Sequence, residues 1–430
     1  MNKVLLNGLA LSTLAILVAC NNSEPDEVTP IADTTPIADV TPIADLNTIA
    51  DVANNHADIA FAAYRDSKET AIILQESVNT FIAAPTEDNL SRAKTAYKAI
   101  RAPYQESEIM RFDSVITVGE NLDADGGPAS VDEWEGQVNA WPLDENHIDS
   151  LIAGSEVIDV ELLLSQNGAN DNEANVTTGV HAVEFMLWGS DLNGTEAGAG
   201  ERPASDFAIN GTCLDSECER RAQYLSAATD LLVDDLTEMT EEWSPKAKVT
   251  SGTLAYNFIN SPLALDYMVG SMITMATDEL ASARMGSGLG LGDPEEEHDC
   301  FSDLSHIAIY HNFQGVKNAF YGNYSSYSSE TTDISGANLA DLVKNKNVGT
   351  YEAIDTALTS IEVKMAKILA AGERTEDPIR FDQIIGQSST GVERLIADSA
   401  VNELIGLDTE LRLMAEVLSL TNIATTFDGD

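Results

Sequence analysis

The stretch from Arg220 to Trp243, RRAQYLSAATDLLVDDLTEMTEEW, decides the fold class. Its apolar residues Tyr224, Leu225, Ala228, Leu231, Leu232, Leu236, Met239 and Trp243 recur at spacings of one, three and four, with Asp and Glu between them. That pattern is one face of an amphipathic helix. Working outward, the same periodicity runs over about 53 to 83, 89 to 107, 148 to 165, 253 to 285, 303 to 320, 351 to 371 and 392 to 420. No comparable stretch alternates with period two and β-branched runs are scarce, so an all-α chain is expected. The pattern predicts two helical bundles, 53–245 and 246–430, joined near Ser244-Pro245. The loop-rich stretches 119–146, 190–212 and 286–297 are long for a bundle, and long loops in compact domains are usually functional.

Ahead of the helices, Lys3 supplies a short basic start, and Val4 to Val18 is an apolar run broken by Asn7, Gly8, Ser12 and Thr13. Leu17-Val18-Ala19-Cys20 closes it, so residues 1–19 read as a signal peptide. The small residue before Cys20 and the polar Asn21 and Asn22 after it resemble a bacterial lipobox, which implies a lipidated Cys20 as the mature N-terminus. The lack of an Asp after that Cys implies sorting to the outer membrane, facing periplasm or cell surface. The apolar run is shorter than the ~18–20 residues of a spanning helix. Residues 20–52 repeat Pro-Ile-Ala-Asp at Pro30, Pro36 and Pro42, then Thr48-Ile49-Ala50-Asp51. A proline every six residues cannot propagate a helix, and the expectation is a tether.

Twenty-three Lys and Arg stand against 71 Asp and Glu, a net charge of −48 over 430 residues. Phosphate neutralisation needs a basic face, so nucleic-acid binding is excluded as a function. Such a field favours cations near the surface, multivalent ones most, and also supports solubility in salt. Three cysteines remain after Cys20: Cys213 with Cys218 is the local disulfide candidate, and Cys218 with Cys300 is the alternative.

The most informative short motif is Gly179-Val180-His181-Ala182-Val183-Glu184-Phe185-Met186-Leu187-Trp188-Gly189. On a helix His181 and Glu184 lie three apart, so imidazole and carboxylate project from one face toward a single cation. That pair suits iron, zinc or manganese; the structural alternative is a buried His hydrogen-bonded to Glu. A second cluster holds Glu295, Glu296, Glu297, His298, Asp299, Asp303, His306 and His311. A helix beginning near Asp299 would place Asp299, Asp303 and His306 on one face as an internal-repeat counterpart or a second site. Ser302 or Asp303 as a helix N-cap is the competing reading. Asn121-x-Asp123-x-Asp125-Gly126 resembles the start of a calcium loop, but Asp132 stands where a bidentate Glu is usual, which points to an acidic turn and away from calcium.

Gly179-x-His181-x-x-Glu184 resembles the signature of the imelysin-like family, iron-regulated bacterial envelope proteins once grouped with an insulin-cleaving metalloprotease. Further motifs agree: Arg101-Ala102-Pro103-Tyr104-Gln105 leading to Glu108 and Arg111-Phe112, Val138-Asn139-Ala140-Trp141-Pro142-Leu143-Asp144-Glu145, Gly200-Glu201-Arg202-Pro203 with Asp206-Phe207, and His298-Asp299-Cys300-Phe301-Ser302-Asp303 with His306. The likeness covers 53–425 as one unit and implies two related bundles, an envelope location and a link to iron acquisition. Carried over residue by residue, it implies His181, Glu184 and Glu108 as metal ligands. Trp188 packs beside them or fills the core, and Arg202 and Asp206 position a loop or pair with each other. The chain departs from the family pattern at Ala283, where an acid is expected before Arg284-Met285, so no role is carried to that pair.

Three functional readings follow. The first is an envelope lipoprotein that binds iron, or zinc or manganese, or a small iron chelate, and works with an envelope transporter. The second is a metallopeptidase using the same residues. Against it, Phe185 occupies the place where an inverted zinc-peptidase motif needs its second His, and no general base is evident nearby. The third is an interaction module with a purely structural His/Glu pair.

Overall fold

The computed structural model describes residues 48–110, 136–208 and 217–423. Cys20, the tether up to residue 47, Arg111-Phe112, the acidic stretch from Asn121 to Asp132 and Cys213 lie outside the described residues. Residues Asp45–Asp430 cluster as one compact unit.

The chain is all-α. In order come α1 (Ile49–Ala83), α2 (Glu87–Ser107), α3 (Glu145–Ala153), α4 (Val160–Gln166), α5 (Gly179–Trp188), α6 (Glu217–Glu242), α7 (Leu254–Asn260) and α8 (Ala264–Thr274). A π-helical segment, Met275–Ser287, continues α8 into α9 (Gly288–Leu291). Then follow α10 (Ser305–Tyr321), α11 (Leu339–Lys346), α12 (Val348–Gly372), α13 (Phe381–Gly386) and α14 (Val392–Leu418). Two short strands, β1 (Asn323–Tyr324) and β2 (Ile334–Ser335), pair antiparallel with Asn323 opposite Ser335.

Local chemistry explains the boundaries. Thr48 and Asp51 form a reciprocal capping box at the start of α1. Thr86 caps α2, whose first turn carries Glu87 and Asp88 against the positive end of the helix dipole. The 148–165 periodicity is broken into α3 and α4, because Asp159 accepts from the Leu162 N–H at 3.0 Å and starts a new helix. The 253–285 run breaks at Ser261-Pro262, where proline lacks a donor and restricts the preceding residue.

The opening stretch packs as its spacing requires. Tyr224, Leu225, Ala228, Leu231, Leu232, Leu236, Met239 and Trp243 are all buried. Each fully buried large side chain contributes roughly 1.5–3 kcal/mol. With this face α6 packs on α1, which also packs on α2, while α12, α14 and the π segment pack together further along the chain. Helix α2 also lies against α10, where a Cβ on Gly315 would meet the Glu106 carbonyl oxygen at 2.9 Å. Helix α2 also touches α5, all ten residues of which are buried.

Candidate metal centre

Helix α5 starts at Gly179, whose φ of +76° belongs to glycine and whose added Cβ would fall 2.4 Å from the Val138 carbonyl oxygen. The motif's glycine therefore seats α5 against the 136–144 segment. One turn in, His181 Nδ1 lies 3.0 Å from Glu184 Oε2, and both side chains are fully enclosed. Burial, reinforced by Arg101, pushes the imidazole down to about 3, so it is neutral at pH 7. With Nδ1–H donating to the carboxylate, Nε2 presents a lone pair, and that atom is buried without a hydrogen-bond partner.

Glu184 is held by residues distant from it along the chain. Its Oε1 accepts from the Ser302 N–H at 2.9 Å and the Ser302 hydroxyl at 2.6 Å, and Tyr97 Oη donates to Oε2 at 3.3 Å. Burial still outweighs these bonds and pushes the carboxyl up to about 7. Asp299 completes the group: one donor atom from each of His181, Glu184 and Asp299 lies within 4.8 Å of the others. Arg101 lies against Asp299, Nη2 donating to Oδ2 at 3.1 Å and Nε 2.8 Å from Oδ1 in an ion contact without hydrogen-bond alignment. Trp141 and His298 pack their rings 4.9 and 4.8 Å from the His181 ring.

Glu108 stands elsewhere. Arg284 grips it twice, Nη1 donating to Oε2 at 2.6 Å and Nη2 to Oε1 at 3.0 Å, while Asn312 Nδ2 and Asn139 Nδ2 donate at 2.6 and 2.9 Å. Glu108 thus sits in a network around Arg284, and the donor atoms that come together with those of His181 and Glu184 are those of Asp299. Arg284, to which the sequence assigned no role, also pairs with Glu279 at 2.9 Å. The five-residue spacing of that pair suits the π-helical segment carrying it. Asn139 links the two ion pairs, accepting from Arg101 Nη1 at 3.3 Å and donating to Glu108.

The second cluster does not form one helix face. Helix α10 begins at Ser305, with Leu304 as its N-cap and no side-chain cap, so neither Ser302 nor Asp303 caps it. Asp299 faces His181, Asp303 faces Glu297 and Asp382, and His306 Nε2 pairs with Glu373 at 2.9 Å. His298 lies 3.3 Å from Asn139 Nδ2 at the edge of the centre. Trp188 touches Tyr97, ring to ring at 5.2 Å, and Lys94, whose ammonium sits 5.0 Å over the indole. Arg202 closes the C-terminal end of α5, Nη2 donating to the Phe185 carbonyl at 3.4 Å, and its nearest Asp206 contact is 4.0 Å. Cys218 is disulfide-bonded while Cys300 is free and buried, which eliminates a Cys218–Cys300 bridge.

Tyr97, Arg101, Asn139, Trp141 and Ser302 were not singled out as site residues from sequence, and Asp299 was read with Asp303 and His306 instead of with His181. All but Tyr97 stand inside the motifs quoted above, which was the available signal. A cleft of about 340 Å³ is lined by Lys94, Lys98, Trp188, Asp303, Arg380 and Ser302, the last of which hydrogen-bonds Glu184.

An all-helical chain with an enclosed imidazole, carboxylate and guanidinium cluster on a Gly-x-His-x-x-Glu helix defines a class. The Imelysin family model (Peptidase_M75) matches residues 60–411, and the chain belongs to that family. Among solved structures, an iron-regulated protein A precursor from Parabacteroides distasonis is similar at 17% identity and a TM-score of 0.57, covering 84% of this chain and 94% of that one. An imelysin-like protein from Psychrobacter arcticum is similar at 12% identity and a TM-score of 0.57, covering 88% and 99%. At these identities the likeness concerns the fold. No curated protein matches the sequence.

Proposed function

We propose that this imelysin-family chain is an envelope lipoprotein that takes up iron, as the ion or as a small chelate, at His181, Glu184 and Asp299. One observation carries the reading: the His181 Nε2 lone pair is buried without a partner beside two carboxylates. Imidazole nitrogen with carboxylate oxygen fits iron, zinc or manganese, and when bound the ion would supply the positive charge that the cluster lacks beyond Arg101. The protein's own part is to hold the donors. Arg101 orients Asp299, Ser302 and Tyr97 fix Glu184, and Glu184 in turn fixes the imidazole. The iron-regulated relative supports iron among the candidate metals. A lipidated Cys20 and a tether would place the body at the outer membrane, and the cleft reaching Ser302 offers room for a small chelate.

Binding is favoured over peptide hydrolysis by the state of Glu184. Its hydrogen bonds hold it to His181, Ser302 and Tyr97, and Phe185 stands where an inverted zinc-peptidase motif needs its second His. The test is metal analysis followed by titration with iron, zinc and manganese, comparing wild type with His181→Ala/Glu184→Ala of unchanged circular dichroism. Near-stoichiometric metal that the folded variant loses supports the reading. A wild type that binds none of the three metals overturns it and leaves the interaction module standing.

A further inference from the structure

A second group of donors, separate from the imidazole centre, has no assigned role. Glu297, Asp303 and Asp382 bring one carboxylate oxygen each to within 4.8 Å of the others. The three residues are 1%, 2% and 0% exposed. Glu297 Oε2, Asp303 Oδ1 and both carboxylate oxygens of Asp382 are enclosed without a hydrogen-bond partner. The one guanidinium at hand, Arg380, donates Nη1 to the Asp303 backbone carbonyl at 3.2 Å and to none of these carboxylates.

Three enclosed acids with four unpartnered oxygens form an arrangement that folding does not favour by itself. A buried polar group without a hydrogen bond costs stability, an ionised one far more, and neighbouring carboxylates repel. Asp382 is the decisive member, because it is completely buried and yet neither of its oxygens has an aligned hydrogen bond, the nearby backbone N–H groups of Asp382 and Gln383 falling short of one. Arg380 bears on Asp303 and Asp382 with a single charge, so the missing partner is also positive, and compact. It is also hard, because every donor is oxygen and no imidazole or thiol joins the group. Asp303 lines the 340 Å³ cleft, which gives a small ion access from solvent. The surface charge of −48 raises the local concentration of divalent cations at that mouth.

We propose that Glu297, Asp303 and Asp382 bind a hard divalent cation of the calcium class, at a site distinct from His181, Glu184 and Asp299. The ion would tie the turn ahead of α10 to the start of α13, two segments on the wall of the cleft.

The experiment is calorimetric titration of the full chain with calcium chloride, and in parallel with magnesium chloride, at about 0.15 M salt to screen diffuse surface binding. The variants are Asp382→Asn and Glu297→Gln, each isosteric, with His181→Ala as control. The expected result is one saturable calcium event in wild type, weakened at least tenfold in Asp382→Asn and retained in His181→Ala. Glu297→Gln serves as the second arm if Asp382→Asn does not fold. A wild type with no saturable event, or a folded Asp382→Asn that titrates like wild type, overturns the proposal and assigns the neutralising charge to shared protons. Because His181→Ala separates the two centres, failure here and failure of the iron reading are distinguishable.

Discussion

His181 shows what a residue type and its spacing reveal and what they leave hidden. That imidazole and Glu184 share a helix face follows from a spacing of three, and the structure sets them 3.0 Å apart. Their companions come from far along the chain: Asp299 lies 198 positions from its partner Arg101, and Ser302 lies 118 from Glu184. Such pairings are chosen by tertiary packing, so neither the place of Asp299 beside His181 nor the pairing of Glu108 with Arg284 could be read from spacing. A second enclosed imidazole gives a test that is independent of metal. His56 is buried against Phe258 with rings 5.3 Å apart, and burial pushes it down to about 3. The unfolded chain protonates this group near 6.5 while the folded one resists, so stability present above that pH is lost as pH falls from about 6.5 toward 3. At pH 5 the loss amounts to about 2 kcal/mol. Urea denaturation of His56→Leu should show its stability relative to wild type rising by about that amount between pH 7.5 and pH 5. An unchanged difference would contradict the assignment.

Helices with a clear apolar face were legible, and those set by breaks or by short length were not. The periodicity over Arg220 to Trp243 matches α6, and the patterns near 53–83 and 89–107 match α1 and α2 within a few residues. Helices α11 and α13 span eight and six residues, too short for a helical repeat to stand out. The π-helical continuation of α8 shifts side chains off the 3.6-residue register, so a pattern read as one helix over 253–285 misplaces Glu279 and Arg284. Helix α5 depends on a single backbone position. Gly179→Ala forces a side chain into a left-handed conformation and toward the Val138 carbonyl. A destabilisation of about 1–3 kcal/mol is expected from the backbone alone, more with the clash, read as a lower denaturation midpoint. A variant as stable as wild type would mean that α5 is not seated by this contact.

Across the whole molecule, the acidic surface and the anchoring of the body serve one purpose in this account. A net charge of −48 on the chain would concentrate cations near the two proposed sites. Among the described residues no helix is long and apolar enough to cross a membrane. The lipoprotein reading proposed above assigns attachment to Cys20. Cys20→Ala is expected to move the protein from the membrane fraction to the soluble envelope fraction when cells are fractionated. A variant still retained with the membrane would assign attachment to another part of the chain. The central claim is metal capture at α5, and its most direct test is metal analysis and iron titration of the compact unit from Asp45, beside His181→Ala/Glu184→Ala. The account predicts close to one bound metal in wild type and none in the folded variant; equal metal content in the two, or none in wild type, would contradict it.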